Sequence, residues 1–445
     1  MCINRKKLSV FLITRLRQGA LFFERGGMVF RRSFAEWRNG GAGYGGVPHR
    51  STALPPPLGS YGGTCWAGSF TVILLINAHL ISAVQPMKLQ HETLVPGVSY
   101  ACYQANKPPL YVHVVKVDLL QKGVKVGAVR AQGRESVTQL AQRYTTDKHK
   151  VIAVINGDYF DGDEKIKGPW GMHIQGGQVI FTPALKRSTF LVDLDGRPMI
   201  DIPRLQLTAQ FSSSPISYDI SNVNRYYNIG EQGLHLFSTF GDNDRVLVKN
   251  STGMTLNGGT LEAGKTIKCK ITGVAAQSGN IDIPSNGLVL CYNGTGSATV
   301  PKMTKDTEVR INAQIYPAAT EAVGGGPRIL RDGRVTAEFG KEGFSPAIEA
   351  CLKWGKHPRS AVGYSSDRCL LFLVTVEGRI PRSEGMDIKE LANFLLGLGI
   401  SDAMTFDGGG SATLFTEKHK SKTYENDMRP VANGLAVFQS QDTTI

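Results

Sequence analysis

Four glycine-marked stretches of this 445-residue chain carry the side chains that could do chemistry: "VINGDYFDGD" from 154, "AVGGGPRILRDGR" from 322, "HPRSAVGYSSD" from 357 and "TFDGGGSATL" from 405. In the last, Asp407 stands before Gly408, Gly409, Gly410 and Ser411. Glycines leave an approaching ligand unobstructed, and consecutive backbone N–H groups can form a concave anion site suited to phosphate or a developing oxyanion. A run of glycines is also a permissive turn, so taken alone the motif decides little. No GK[ST] follows it, and "GGGPRIL" is not the GxGxxG of a dinucleotide fold.

Arg359 and Arg328 are the cations expected to face a cleft, because a planar guanidinium grips phosphate through paired hydrogen bonds. The plainer reading of each is a structural salt bridge. Asn156 and Asp158 in "NGDYF" could orient a sugar hydroxyl or a water, although Asn-Gly is equally a hairpin turn. Tyr159 and Phe160 either pack in the core or floor the pocket.

Strand ends on a rigid sheet would position such residues. Short apolar segments such as "YVHVVKVDLL", "VIAVI", "STFLVDL", "CLLFLVTV" and "GLAVFQ" recur from residue 98, most of them separated by glycine, asparagine or proline. Helices are few. Ile388, Leu391, Ala392 and Leu395 follow a helical stripe within 387–398, with Asp387 and Glu390 as a capping box and Gly397 and Gly399 as a stop. A second helix is expected at "SVTQLAQRYT", capped by Ser136 with Val137, Leu140 and Ala141 inward. The fold class is therefore α+β: a mixed or antiparallel strand-rich core with a few covering helices, and a β-rich subregion at 205–300 that is either inserted or continuous with the main sheet.

The net charge of +13 raises the question of nucleic acid, but its distribution answers it. Residues 1–83 hold ten Lys/Arg and two Asp/Glu, or +8, which leaves 40 minus 35, or +5, for the other 362 residues. No basic cluster there is interleaved with aromatics, so a nucleic-acid partner is not expected. Within 1–83 the run "SFTVILLINAHLISA" is too short to span a membrane and suits a secretory signal with Ile81 and Ala83 at the cleavage positions. An uncleaved anchor, a buried element, or a start downstream at Met28 are the alternatives. The expected product is secreted, periplasmic or on the cell surface, with membrane contact only through an anchor.

The division implied is a signal, anchor or disordered segment at 1–83, a linker at 84–97, the catalytic body at 98–440 and a tail at 441–445. Cys102, Cys269, Cys291, Cys351 and Cys369 form no CxxC; Cys269 with Cys291 and Cys351 with Cys369 are candidate disulfides if the chain is exported. His113, His149, His173, His235, His357 and His419 make no HxH or HxxxH pair, so no transition metal or other cofactor is expected. A divalent cation such as calcium, held by Asp161 and Asp163 in "DGDE", is the one alternative left open.

Together with "GPWGMHIQGGQVI", "VNRYYNIGEQGLHLFSTFGD", "IPSNGLVL" and "RPVANGLAVF", the four stretches resemble the phosphodiester glycosidase domain family over about residues 98–440. The family includes the lysosomal enzyme that uncovers mannose 6-phosphate and secreted bacterial relatives tied to exopolysaccharide or cell-wall metabolism. The resemblance implies hydrolysis of a sugar-1-phosphate diester at the anomeric carbon. Carried over residue by residue, it places catalytic roles on Asp407, Arg359 and Asn156 and a binding role on Gly324, Gly325 and Gly326; substrate or phosphate contacts by Arg328, Asp158, Gly408, Gly409, Gly410 and Ser411 are the expectation from their own chemistry. Relatives commonly carry glycine at Asp158. A phosphomonoester leaves readily, so one carboxylate, Asp407, suffices to attack the anomeric carbon or activate water; Asp158, Glu321 and Glu384 are candidates for a second. Alternatives to the enzyme are a catalytically silent binder of envelope polysaccharide or phosphoglycan, and a different hydrolase on the same scaffold.

Overall fold

The computed structural model describes residues 22–24, 27–29, 87–162, 167–226, 232–293, 303–421 and 429–440. All belong to one of two compact units of the chain, 22–30 with 84–445. Within it Phe22–Glu24 and Gly27–Val29 pair as a short antiparallel hairpin. The proposed signal run lies outside the described residues, as do Asp163 of the "DGDE" loop and the tail.

Two sheets face each other across a shared core. One has eight strands in the order Arg334–Val335, Arg328–Arg331, Asp402–Thr405, Arg359–Tyr364, Leu370–Val376, Pro109–Asp118, Val98–Asn106 and Met87–Val95. The other has four: Leu414–Thr416, His149–Asn156, Val431–Ser440 and Val124–Glu135. Val115, Leu371, Leu373 and Met404 from the first meet Ile152, Ile155, Leu435 and Val437 from the second. The strands between them read as continuous apolar runs because their outer faces are covered too.

Helix Val137–Tyr144 lies on the outside of the four-stranded sheet, and helix Ile388–Gly397 on the outside of the eight-stranded one. The result is helix, sheet, sheet, helix. Both helices carry the expected caps: Ser136 with Gln139, and Asp387 with Glu390, form reciprocal capping boxes. Their buried residues are the expected stripes, Val137, Leu140 and Ala141, and Ile388, Leu391, Ala392 and Leu395. Gly399 follows at φ +83°, a conformation that favours glycine.

A five-stranded sheet in the order Pro198–Asp201, Thr189–Val192, Glu321–Gly324, His173–Gln175 and Gln178–Phe181 packs on this body through Phe190, Val192, Ile200 and Val323. The β-rich middle is an insertion rather than part of the main sheets. Strands from Arg204 to Tyr316 close into a seven-stranded barrel with its own apolar filling, including Leu207, Phe211, Leu236, Met254, Ile271 and Ile311. The barrel leaves after Asp201 and returns at Glu321, both in strands of the five-stranded sheet, so its two ends stay together.

Three expectations are corrected. Residues 84–97 are not a linker throughout, since Met87–Val95 pairs with Val98–Asn106 as an edge strand. A third helix, Pro346–Trp354, adds to the two expected; it begins in a strong start signal, Ser345 followed by Pro346, but buries no residue fully and so shows no inward stripe. The five cysteines are free. Cys269 packs inside the barrel while Cys291 belongs to a separate apolar cluster with Phe237 and Val289, which keeps the two thiols apart.

Candidate active site

The four stretches converge where the two facing sheets end. Strand Arg359–Tyr364 runs antiparallel to Asp402–Thr405, with Ala361 opposite Thr405, so the start of one and the end of the other coincide. Beyond that pairing, Phe406 N–H donates to the Ser360 carbonyl at 2.9 Å and Gly409 N–H to the Pro358 carbonyl at 3.0 Å. Asp407 N–H donates to the Gly157 carbonyl at 2.9 Å, which ties the loop to the end of strand His149–Asn156 in the other sheet. Asp407 and Arg359 are therefore neighbours. A Cβ on Gly408 would lie 4.0 Å from the Arg359 Cδ.

Asn156 is the clamp of this junction. Fully buried, it donates from Nδ2 to the Asp407 carbonyl at 2.8 Å, while its Oδ1 accepts from the Ser360 hydroxyl at 2.6 Å and from Thr413 N–H at 3.0 Å. Its amide is thus committed to protein groups, and its role is to position the Asp407 loop rather than to hold substrate.

Two carboxylates share the site. Burial pushes Asp407 up to about 6, opposed by the Ser411 hydroxyl and Arg429 and reinforced by the charge of Asp158. Burial likewise pushes Asp158 up to about 6, opposed by the N–H groups of Gly171 and Tyr159 that its oxygens accept and by the charges of Arg187 and Arg225. The charge of Asp158 adds to the rise of Asp407, so the ionisations of the two acids are coupled. Of the other second-carboxylate candidates, Glu321 accepts from the N–H groups of Ala128 and Gly176, both at 2.9 Å, and Glu384 is exposed.

The two triple glycines do different things. Gly324, Gly325 and Gly326 donate their N–H groups to the carbonyls of Met172, Ser188 and Thr405, at 2.9, 3.1 and 2.8 Å. No donor remains there for an anion, which corrects the expectation that they bind phosphate. They are small because backbones meet: a Cβ on Gly325 would lie 2.6 Å from the Thr405 carbonyl oxygen, and one on Gly324 would lie 2.6 Å from Asp158 Oδ2. In the second run Gly409 N–H is likewise spent, on the Pro358 carbonyl, and what sets Gly408, Gly409 and Gly410 apart is that they lie against guanidinium groups and the Asp407 carboxylate. Gly408 N–H turns toward the Asp407 carboxylate. Gly409, at φ +61°, sits under the Arg379 guanidinium, and Gly410 sits under that of Arg429. Ser411 is buried beside them, its hydroxyl lacking a well-aligned partner among the described residues.

The arginines also rearrange the expectation. Arg359 is buried and gives Nε to the Met386 carbonyl and Nη2 to the carbonyls of Leu352 and Gly355, at 2.8, 3.0 and 2.7 Å. It ties the end of helix Pro346–Trp354 to the sheet. Arg328 is paired with Asp402 and also donates to the Ile200 carbonyl, so it faces away from the cleft. The guanidinium groups around Asp407 are those of Arg379 and Arg429, with Arg187 beside Asp158. Arg379 and Arg429 stand inside the stretches "VTVEGR" and "RPVANG", at the end of one strand and just before another, which is the signal that could have found them. Nothing in "PALKRSTF" marks Arg187. His357 Nδ1 meets Arg379 at 3.1 Å, and burial together with Arg359 and Arg379 lowers the imidazole to about 4, so it is neutral at physiological pH.

Residues 250–438 match the model of the phosphodiester glycosidase family. That stretch is similar to phosphodiester glycosidases. The match contains Asp407, Arg359, Arg379 and Arg429 and begins after "VINGDYF", so Asn156 and Asp158 lie outside it and meet its loops through the fold. An uncharacterized prophage-derived protein of Bacillus subtilis (strain 168), YomE, is 34% identical over 90 residues, 20% of this chain and 14% of that protein. A hypothetical protein from Synechocystis has the same fold at TM-score 0.63 and 18% identity, covering 78% of this chain and 62% of its own. A "Putative exported protein" from Burkholderia pseudomallei K96243 aligns at TM-score 0.56 and 18% identity over 74% of each chain. The chain thus spans less than two thirds of the first two of these relatives. Among the described residues, no helix is long and apolar enough to cross a membrane, and no group of three or more His, Cys, Asp or Glu is placed to hold a metal ion.

Proposed function

We propose that the protein is an exported hydrolase that cleaves a sugar-1-phosphate diester, releasing a sugar such as N-acetylglucosamine from a phosphomonoester in glycan or cell-envelope polysaccharide metabolism. The observation that carries this is the Asp407–Asp158 pair, two acids of raised pKa opposing each other beside a glycine loop overlain by two arginines. The family match over 250–438 supports it, and the neighbour of the same fold named as a "Putative exported protein" supports the location.

With one proton on the pair, ionised Asp407 attacks the anomeric carbon or takes a proton from water that attacks it. The bond from that carbon to the phosphate oxygen breaks, and its electron pair leaves on the phosphate. Protonated Asp158 donates to that oxygen, and the arginines hold the developing charge in a site where water competes poorly. A phosphomonoester is a good leaving group, so the acid contributes less than in an ordinary glycosidase.

The test is release of phosphomonoester and free sugar from a panel of glycosyl phosphodiesters, with Asp407→Asn as control. Turnover lost in the variant supports the assignment, and wild-type rates in it would remove Asp407 from the mechanism. Saccharide binding without turnover by the native protein would favour the silent binder instead.

A further inference from the structure

Among the described residues four arginines are more than nine-tenths buried: Arg187, Arg225, Arg328 and Arg359. Three are saturated. Arg225 donates to the carbonyls of Thr182, Pro169 and Gly171, Arg328 to Asp402 and the carbonyls of Leu330 and Ile200, and Arg359 to the carbonyls of Met386, Leu352 and Gly355. Arg187 is the exception. It is 7% exposed, its Nε is buried without a hydrogen-bond partner, and it forms no ion pair among the described residues.

What surrounds it is aromatic. The guanidinium carbon lies 4.1 Å from the centre of the Phe344 ring, 5.4 Å from Tyr159 and 5.8 Å from Trp170. Such a cage holds a cation in place but accepts few of its five N–H groups. Burying a guanidinium without acceptors is costly, and a fold tolerates it where an anion completes the set. The cage adjoins the site, since Tyr159, one of its walls, follows Asp158 in the chain. Asp158 and Tyr159 both feel the Arg187 charge, and Tyr159 also feels Asp407. Asp158 does not itself complete the set: its oxygens accept from Tyr159 and Gly171, and no hydrogen bond or ion pair joins it to Arg187 among the described residues.

We propose that Arg187, held by Phe344, Tyr159 and Trp170, is the residue that grips the phosphate group of the substrate and of the phosphomonoester product. The identity of the diester rests on the function proposed above; the anion site does not. This role replaces the one expected of Arg359 and Arg328, whose donors are spent on the protein.

Binding of inorganic phosphate to the full chain by calorimetry tests it, with Arg187→Met and Lys186→Ala compared against the native protein. Removing the arginine should weaken phosphate by about tenfold or more, since a charge-assisted pair is lost, while Lys186→Ala, on the exposed neighbour, leaves binding unchanged. The methionine variant should also melt higher, because an unpartnered buried cation gives way to an apolar side chain that fits the aromatic cage; a merely structural arginine predicts the reverse. Arg187→Gln provides the comparison if the methionine variant does not fold. Phosphate binding that is absent in the native protein, or equal in the variants, overturns the proposal. Phosphate binding lost with Arg187 but no hydrolysis of any glycosyl phosphodiester would overturn the enzyme and leave the anion site standing. Hydrolysis with kcat/KM unchanged in Arg187→Met would do the opposite.

Discussion

The Asn156 side chain donates to the Asp407 carbonyl at 2.8 Å across 251 residues of sequence. This one amide joins the ends of two facing sheets, because its oxygen also accepts from Ser360 and Thr413. Asn156→Ala removes the side-chain hydrogen bonds to Asp407, Ser360 and Thr413 and leaves those partners unmatched, at a cost of about 3 kcal/mol in unfolding free energy. Urea denaturation should show that loss, and activity should fall as the Asp407 loop drifts. A variant as stable as the native protein would mean that the loop is held elsewhere.

Asp407 itself is held at a stability cost. Its pKa, raised from 3.8 to about 6, means that the folded state prefers the protonated acid. That preference favours folding fully below the unfolded value near 4 and is lost as pH rises through about 6. Asp407→Asn imitates the neutral form. At pH 7.5 it should therefore gain about 1 to 3 kcal/mol, a gain that shrinks toward zero at pH 4, while kcat falls by about 10³-fold. Native activity should be highest near pH 6, where the pair holds one proton, and decline on either side as it takes up a second or loses the first. Thermal melts of both proteins across that range, beside a pH–rate profile, check the two halves separately.

Much of this was legible because local chemistry and fold agreed. Ser136 with Gln139 and Asp387 with Glu390 wrote both capped helices, and alternating or continuous apolar runs between glycines wrote the strands. Asp407 was legible as a carboxylate at a strand end. The arginines were not, because a sequence shows that a cation is present but not whether a carbonyl already occupies it. Arg359 and Arg328 looked free and are spent; Arg187 carried no motif and is the one left over. The same blindness made "GGG" at 324 and at 408 look alike, when only their neighbours distinguish them.

Those two glycine runs should respond differently to a single methyl group. Gly325→Ala drives Cβ to 2.6 Å from the Thr405 carbonyl oxygen, a backbone atom that cannot withdraw from a packed sheet, and against the end of the Met404 side chain. It should cost about 2 kcal/mol or more by overpacking. Gly410→Ala meets only the guanidinium of Arg429, with 2.7 Å to its Cζ, and that group can swing aside. Its stability should stay within about 0.5 kcal/mol of native while KM for the phosphodiester rises. Equal effects in denaturation and kinetics would show that both runs serve the same purpose.

Arg359 separates a structural cation from a binding one. Its guanidinium joins the Leu352 and Gly355 carbonyls at the end of helix Pro346–Trp354 to the Met386 carbonyl before helix Ile388–Gly397, and burial lowers its pKa to about 10. Arg359→Met should lose about 2 to 4 kcal/mol, because three carbonyls lose a charged donor; Arg359→Lys, able to reach fewer of them, should recover part of it. Kinetically the loss should be the same for a phosphodiester and for a neutral aryl glycoside, since the whole site moves when the helix end loosens. Arg187→Met should show the opposite pattern, with no loss of stability and a defect confined to substrates that carry phosphate. A phosphate-selective defect in Arg359→Met, with its melting temperature unchanged, would return Arg359 to the substrate and leave the three carbonyls as incidental contacts.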